Sequence, residues 1–199
     1  MASQLIGLVK KLTWNDFTPK QATPPAPGQF VDAALCSVAV RLSGVALSGD
    51  TGDLYLADTL IVTISLSPQC FKNSWVSSRP APEQQTLLAH EQGHYDLGAL
   101  IGRDYFLQVM QLKGNSYADS LALQADLDPI AQATIARIQE VQDDYDTATS
   151  NGSDPAAQSK WFDYIKKAFT QPAVPRATTP NGTVVKIEML TVLGDAGEL

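Results

Sequence analysis

The chain contains two histidines, His90 and His94, four residues apart, with a glutamate directly after the first. The stretch reads His90-Glu91-Gln92-Gly93-His94, an H-E-x-x-H pattern. On a helix, positions i and i+4 lie one above the other, so both imidazoles can reach one ion. The chemistry this suits is zinc-assisted hydrolysis. Zinc brings the pKa of a water to near 7, and Glu91 projects close enough to take the proton. At ordinary residue frequencies the pattern arises by chance in well under about 1% of chains this long.

The third ligand is less direct. One extended form of the motif puts a glycine three residues after the second histidine and a ligand three further on. Those positions hold Leu97 and Leu100, which excludes that form. The alternative is a carboxylate on a later helix, with Glu140, Asp143, Asp144 and Asp146 as candidates. If the later helix packs antiparallel to the first, Asp146 falls level with His94. A boundary shift of two or three residues would move the choice to Asp143 or Glu140. Tyr145, beside Asp146, or else Tyr95, is the candidate for stabilising an oxyanion. Asp96 points off the ligand face. Its expected role is structural, through a pair with Arg103 or by orienting a neighbouring helix.

These residues need a scaffold. "RPAPEQQTLLAHEQGHYDLGALIGRDYFLQVMQLKG" opens on prolines and closes on Gly114, which predicts a helix from about Glu83 to Lys113. Gly98 and Gly102 share a face and each weakens the helix, so a neighbouring backbone is expected to approach there. A short helix is expected over Asn115–Leu127. Asp128 as cap and Pro129 at the first position predict another helix to about Thr147. "SNGSDP" breaks it, and an amphipathic helix follows over Ala156–Phe169. Before Arg79 the pattern is β and loop. "TPPAPG" (Thr23 to Gly28) cannot be helix, and Phe30–Leu42 reads as a strand. "SGDTGD" (Ser48 to Asp53) is a turn cluster. Asp58–Ser67 alternates as a half-buried strand and offers an edge for an extended substrate. After the proline-containing segment from Gln171, Thr183–Leu193 reads as a C-terminal strand, available to this sheet or to an assembly partner. The fold class expected is α+β: an antiparallel β-sheet packed against a helical layer, with residues 1–80 the β part, 81–170 the helical part and 171–199 a linker and strand.

Bulk properties narrow the function. The chain has 199 residues, a net charge of −7, 44% apolar and 18% charged residues. One domain with its own core is expected. The acidic balance argues against nucleic acid or anionic lipid as partner. No stretch approaches the ~20 apolar residues of a membrane span. The start "MASQLIGLVKKLTW" lacks the order and length of a secretory signal. The expectation is a protein made in the cytoplasm, with a removed leader, non-classical export or a place in a phage or secretion assembly as alternatives. Cys36 and Cys70 sit in apolar stretches and read as buried thiols, with a single disulfide as the alternative.

The stretches "LTWNDF" (Leu12 to Phe17), "SWV" (Ser74 to Val76), "LLAHEQGHYDL" (Leu87 to Leu97), "YDTAT" (Tyr145 to Thr149) and "QSKW" (Gln158 to Trp161) resemble, in order, a bacterial family. It is domain of unknown function 922, predicted to be zinc-dependent proteases and often secreted. The resemblance implies a zincin-like metallopeptidase domain. The family's later motif reads Tyr-Asp-x-Glu-Thr-x-His-Gly. Tyr145, Asp146 and Thr149 fit it, whereas Ala148 replaces the glutamate and Asn151 the histidine. Asp146 survives, which favours it as ligand. The reading is therefore a zinc hydrolase acting on a peptide or protein substrate. His90, His94 and Asp146 hold Zn2+, Glu91 is the base and Tyr145 an oxyanion helper. The rivals are a metal-stabilised module that hydrolyses nothing and a metal-free α+β binding domain.

Overall fold

A computed structural model describes residues 3–24, 33–44, 46–48, 52, 54–56 and 59–170. The expected strand at Thr183–Leu193, most of the proline loop and Phe30–Asp32 lie outside the described residues.

The chain begins with β1 (Gln4–Ile6), a 3-10 turn at Trp14–Asp16 and β2 (Thr18–Lys20). Then follow β3 (Ala34–Leu35), β4 (Val38–Ser43), β5 (Ala46–Ser48), β6 (Leu54–Leu56), β7 (Ile61–Leu66) and β8 (Phe71–Asn73). A second 3-10 turn, Ser74–Ser78, leads into α1 (Ala81–Gln111). β9 (Ser116–Tyr117), α2 (Ser120–Thr149) and α3 (Pro155–Thr170) complete the described chain.

The class is α+β, as expected, but the single antiparallel sheet is not what forms. Three sheets of three strands appear, in the orders β1-β7-β4, β2-β8-β3 and β5-β6-β9. Two of them are mixed: β1 runs parallel to β7, and β2 parallel to β8. The expected strand at Phe30–Leu42 is two strands, because Cys36 and Ser37 leave the ladder. Asp58–Ser67 contracts to β7, which lies between β1 and β4. Its two edges are therefore filled, which overturns the expectation that it receives substrate. Among the described residues β4 pairs with β7 alone, so its outer edge is the free one.

α1 crosses the middle of the molecule. From His90 to Gln108 it is buried on almost every side. One face meets the sheet, where Tyr95 and Ala99 cluster with Ile64 of β7. The other meets α2 and α3, where Leu97, Leu100 and Ile101 pack on Val141, Tyr145, Trp161 and Ile165. A central position requires a helix that is apolar on most sides, and here the buried exceptions include His90, Glu91 and His94. The glycines permit the close packing. A Cβ on Gly98 would lie 2.7 Å from the Val38 side chain, and one on Gly102 would lie 2.8 Å from Ile64. Side chains of the sheet, rather than another backbone, occupy the space.

α2 is one helix where two were expected. The cap is Asp119, whose carboxylate accepts the Ala122 N–H at 2.8 Å. Pro129 lies inside the helix and removes the bond to Ala125. Both residues are on the solvent face, where the freed carbonyl is open to water. The stretch before Asp119 forms β9 instead of a helix.

Candidate metal centre

α1 and α2 run antiparallel, and this brings three side chains to a point. His90 Nε2 and His94 Nε2 each lie 3.0 Å from Asp146 Oδ1, and 3.2 Å from each other. Among the described residues, His90, His94 and Asp146 are the group of histidine, cysteine and acidic side chains able to hold a metal ion. Bonds of about 2.0–2.1 Å to a tetrahedral zinc separate neighbouring ligands by about 3.3–3.4 Å. The observed triangle needs only a few tenths of an ångström of spreading. Asp143 and Glu140 are elsewhere: Asp143 accepts from Gln139, and Glu140 pairs with Arg137.

Two glutamines decide what the imidazoles present. Gln142 Nε2 donates to the His94 carbonyl at 2.9 Å, so its Oε1, against His94 Nδ1, must accept. On the other ring, Tyr145 donates its hydroxyl proton to the His90 carbonyl at 3.2 Å. Gln158 Nε2 donates to that same phenol oxygen. Gln158 Oε1 is thereby turned to His90 Nδ1, 2.9 Å away. Each histidine thus carries its proton on Nδ1 and a lone pair on Nε2. Two lone pairs and a carboxylate oxygen then converge, an arrangement that repels itself unless a cation sits among them. A proton is the simplest such cation. Burial opposes charge on His94, but the bond to Asp146 and the Glu91 charge prevail and hold its imidazolium above the usual range. Burial likewise pushes against ionisation of Asp146, yet the His90 and His94 imidazoles against it hold its carboxyl well below the usual range.

Glu91 is 3% exposed. Burial pushes its carboxyl up, against the pull of both imidazoles. The Cys36 backbone N–H bonds the carboxylate, while Oε2 has no partner. A buried carboxylate oxygen without a partner costs free energy, so a donor belongs there. Glu91, the three ligand candidates and Asn151 face a cavity of about 50 Å3, room for an ion and a few waters.

Tyr145 departs from its expected role. It is fully buried, its ring stacked on His90 with centroids 4.8 Å apart. With its hydroxyl engaged by His90 and Gln158, it supports the ligand from behind and does not face the cavity. Tyr95 bonds the Gly7 carbonyl at 2.7 Å. Asp96 accepts from Gln92, whose amide also holds Leu12 N and the Lys10 carbonyl. Arg103 bonds the Ala168 carbonyl and pairs with Asp104, so the expected Asp96–Arg103 pair does not form.

Sequence reasoning missed Gln142, Gln158 and Gly152. Gln142 stands one turn before Asp146 on the same face, a signal that was available. Gln158 belongs to another helix; it opens the "QSKW" stretch of the resemblance, but nothing local tied it to His90. Gly152 has φ +79°, and a Cβ there would sit 2.9 Å from the His90 ring. The loop after α2 presses on the ligand through this position.

A larger groove, about 450 Å3, runs from the centre between β4 and α2. His94 and Asp146 close one end. Val38 and Val40 line one wall, Ile135 and Ile138 the other.

Residues 74–153 match the model of a family described as "Bacterial protein of unknown function (DUF922)". The match supports that family for the segment carrying His90, Glu91, His94 and Asp146; α3, with Gln158, lies beyond it. No curated protein and no solved structure matches the chain.

Proposed function

We propose that this protein is a zinc-dependent, zincin-like hydrolase that cuts a peptide or amide bond. The observation that carries this reading is the meeting of two Nδ1-protonated histidines and Asp146 beside a buried glutamate with a free oxygen. When bound there, zinc supplies a polarising charge for the carbonyl and acidifies a water to near neutrality. His90, His94 and Asp146 hold the ion. Glu91 Oε2 accepts the proton of the attacking water and returns it to the departing amine. Burial strengthens Glu91 as a base, because it penalises the ionised form. Tyr145 and Gln158 keep the His90 ring from turning, and Gln142 does the same for His94.

The groove supports a chain-like substrate. Among the described residues the outer edge of β4 has no strand partner, so its backbone groups suit an extended peptide, and the isoleucines of α2 offer apolar contact. This edge takes the place expected for Asp58–Ser67.

One feature favours a second reading, a metal-stabilised module without catalysis. Asn151 lines the cavity where the resembled family has histidine, and Ala148 packs into the apolar core where that family has glutamate. The two readings part on one experiment. Protein purified without chelator is assayed for zinc by mass spectrometry and for cleavage of a denatured-protein substrate, wild type beside Glu91→Gln. About one zinc per chain in both, with cleavage by wild type alone, supports the hydrolase. Zinc in both and cleavage in neither supports the structural module. Equal cleavage by both overturns the role of Glu91.

A further inference from the structure

The chain's two cysteines are neighbours in space, although 33 residues lie between them. Cys36 stands in the connection between β3 and β4, Cys70 in the turn between β7 and β8. Both are buried and free. The two side chains interact directly, and the interaction pushes the Cys36 thiol up and draws the Cys70 thiol down. Cys70 sulfur is held by Ser37 from two sides. It accepts from the Ser37 N–H and donates to the Ser37 carbonyl, each at 3.1 Å. The turn is tied to the same connection by Ser67 N–H to Ser37 O at 2.8 Å. The two sulfurs are therefore aligned by a framework that needs no metal.

This pair adjoins the centre without belonging to it. The Cys36 N–H holds Glu91. Cys36 also lines both the small cavity and the large groove, the side from which a reagent would approach. None of the steps assigned to the centre uses either thiol.

We propose that Cys36 and Cys70 form a reversible disulfide site, oxidised through the groove by a low-molecular-weight disulfide. Cys36 sulfur attacks the oxidant, forming a mixed disulfide, and its proton goes to the small thiolate that this step expels. Cys70 sulfur then attacks Cys36 sulfur, and its proton goes to the second small thiolate, which the new S–S bond expels. Two protein thiols and one small disulfide become one protein disulfide and two small thiols. Cys70 is suited to the resolving step. The interaction with Cys36 draws its thiol down to about 7 against the effect of burial. The product fastens the segment that carries the Glu91 partner to the β7–β8 turn. The inference does not depend on the centre being hydrolytic.

The test uses the full chain, equilibrated with oxidised and reduced glutathione at set ratios. Samples are acid-quenched, alkylated with N-ethylmaleimide and weighed by intact mass spectrometry. The expected result is a monomer two hydrogens lighter and unlabelled, with Cys36 and Cys70 peptides joined, and full labelling after a reductant. Its thermal midpoint should lie about 5–15 °C above the reduced form, since closing a loop of this length constrains the unfolded chain. Cys36→Ser and Cys70→Ser should each abolish that shift and retain one reactive thiol. Two labelled thiols in the native chain under fully oxidised glutathione would overturn the proposal, as would a bond between chains.

Discussion

The tautomer of His90 is the point at which the account of the centre is most exposed. Replacing Gln158 by leucine keeps the bulk but removes the acceptor at His90 Nδ1, 2.9 Å away. The His90 side chain is 5% exposed, so water cannot readily substitute. The ring then has a better choice: proton on Nε2, donated to Asp146 Oδ1 at 3.0 Å. That form satisfies the metal-free site and cannot ligate. Regaining the ligating tautomer leaves a buried N–H without a partner, a cost of about 1–3 kcal/mol. Zinc affinity should therefore fall about 5–150-fold, a span that brackets the roughly 10–100-fold typical of residues that orient metal-binding histidines. The assay is competition for zinc against a chromophoric chelator, with circular dichroism as the control for folding. Gln158→Glu restores an acceptor at Nδ1, and its affinity should match or exceed wild type. Folded Gln158→Leu binding zinc within twofold of wild type would refute the tautomer argument. So would equal losses in both variants, because packing alone would then explain them.

Other outcomes follow from the same geometry. Asp146→Ala should lose stoichiometric zinc, while Asp143→Ala and Glu140→Ala keep it, as read by metal content. Glu91→Gln should bind zinc and melt within a few degrees of wild type, yet lose about 100-fold or more of any peptide cleavage. Gly93→Ala places a Cβ 2.1 Å from the Tyr145 hydroxyl and 2.6 Å from its ring. Displacing α2 should cost about 3 kcal/mol, a fall of roughly 6–12 °C in thermal midpoint by calorimetry. Chelation should lower the midpoint, and zinc at 100 times its Kd should raise the stability by about 2.7 kcal/mol over the metal-free protein.

The parts legible in the sequence are those where one segment carries the whole signal. H-E-x-x-H placed His90, Glu91 and His94 on one helix, because a period of 3.6 residues needs no knowledge of neighbours. The bounds of α1 and α3 followed from prolines and glycines for the same reason. Pro129 misled, since a proline that suits a helix start can also sit inside a helix where the carbonyl it frees is exposed. Here Ala125 and Pro129 face solvent, and α2 runs through. The register of α2 against α1 selected Asp146, three residues away from a candidate of the same type, Asp143. It was predicted from lengths alone and needed the packed pair to be fixed.

What sequence determined by itself is a pair of metal-seeking imidazoles with a glutamate beside them, since covalent spacing on a helix suffices. Tertiary structure alone decided the rest. It turned Tyr145 from the cavity to the back of His90 and brought Gln158 across from α3 to set a proton. It filled both edges of β7, left that of β4 unpaired among the described residues, and brought Cys36 beside Cys70. Each depends on which distant groups meet in the interior. There every buried donor and acceptor must find a partner, and no local pattern records where that partner comes from.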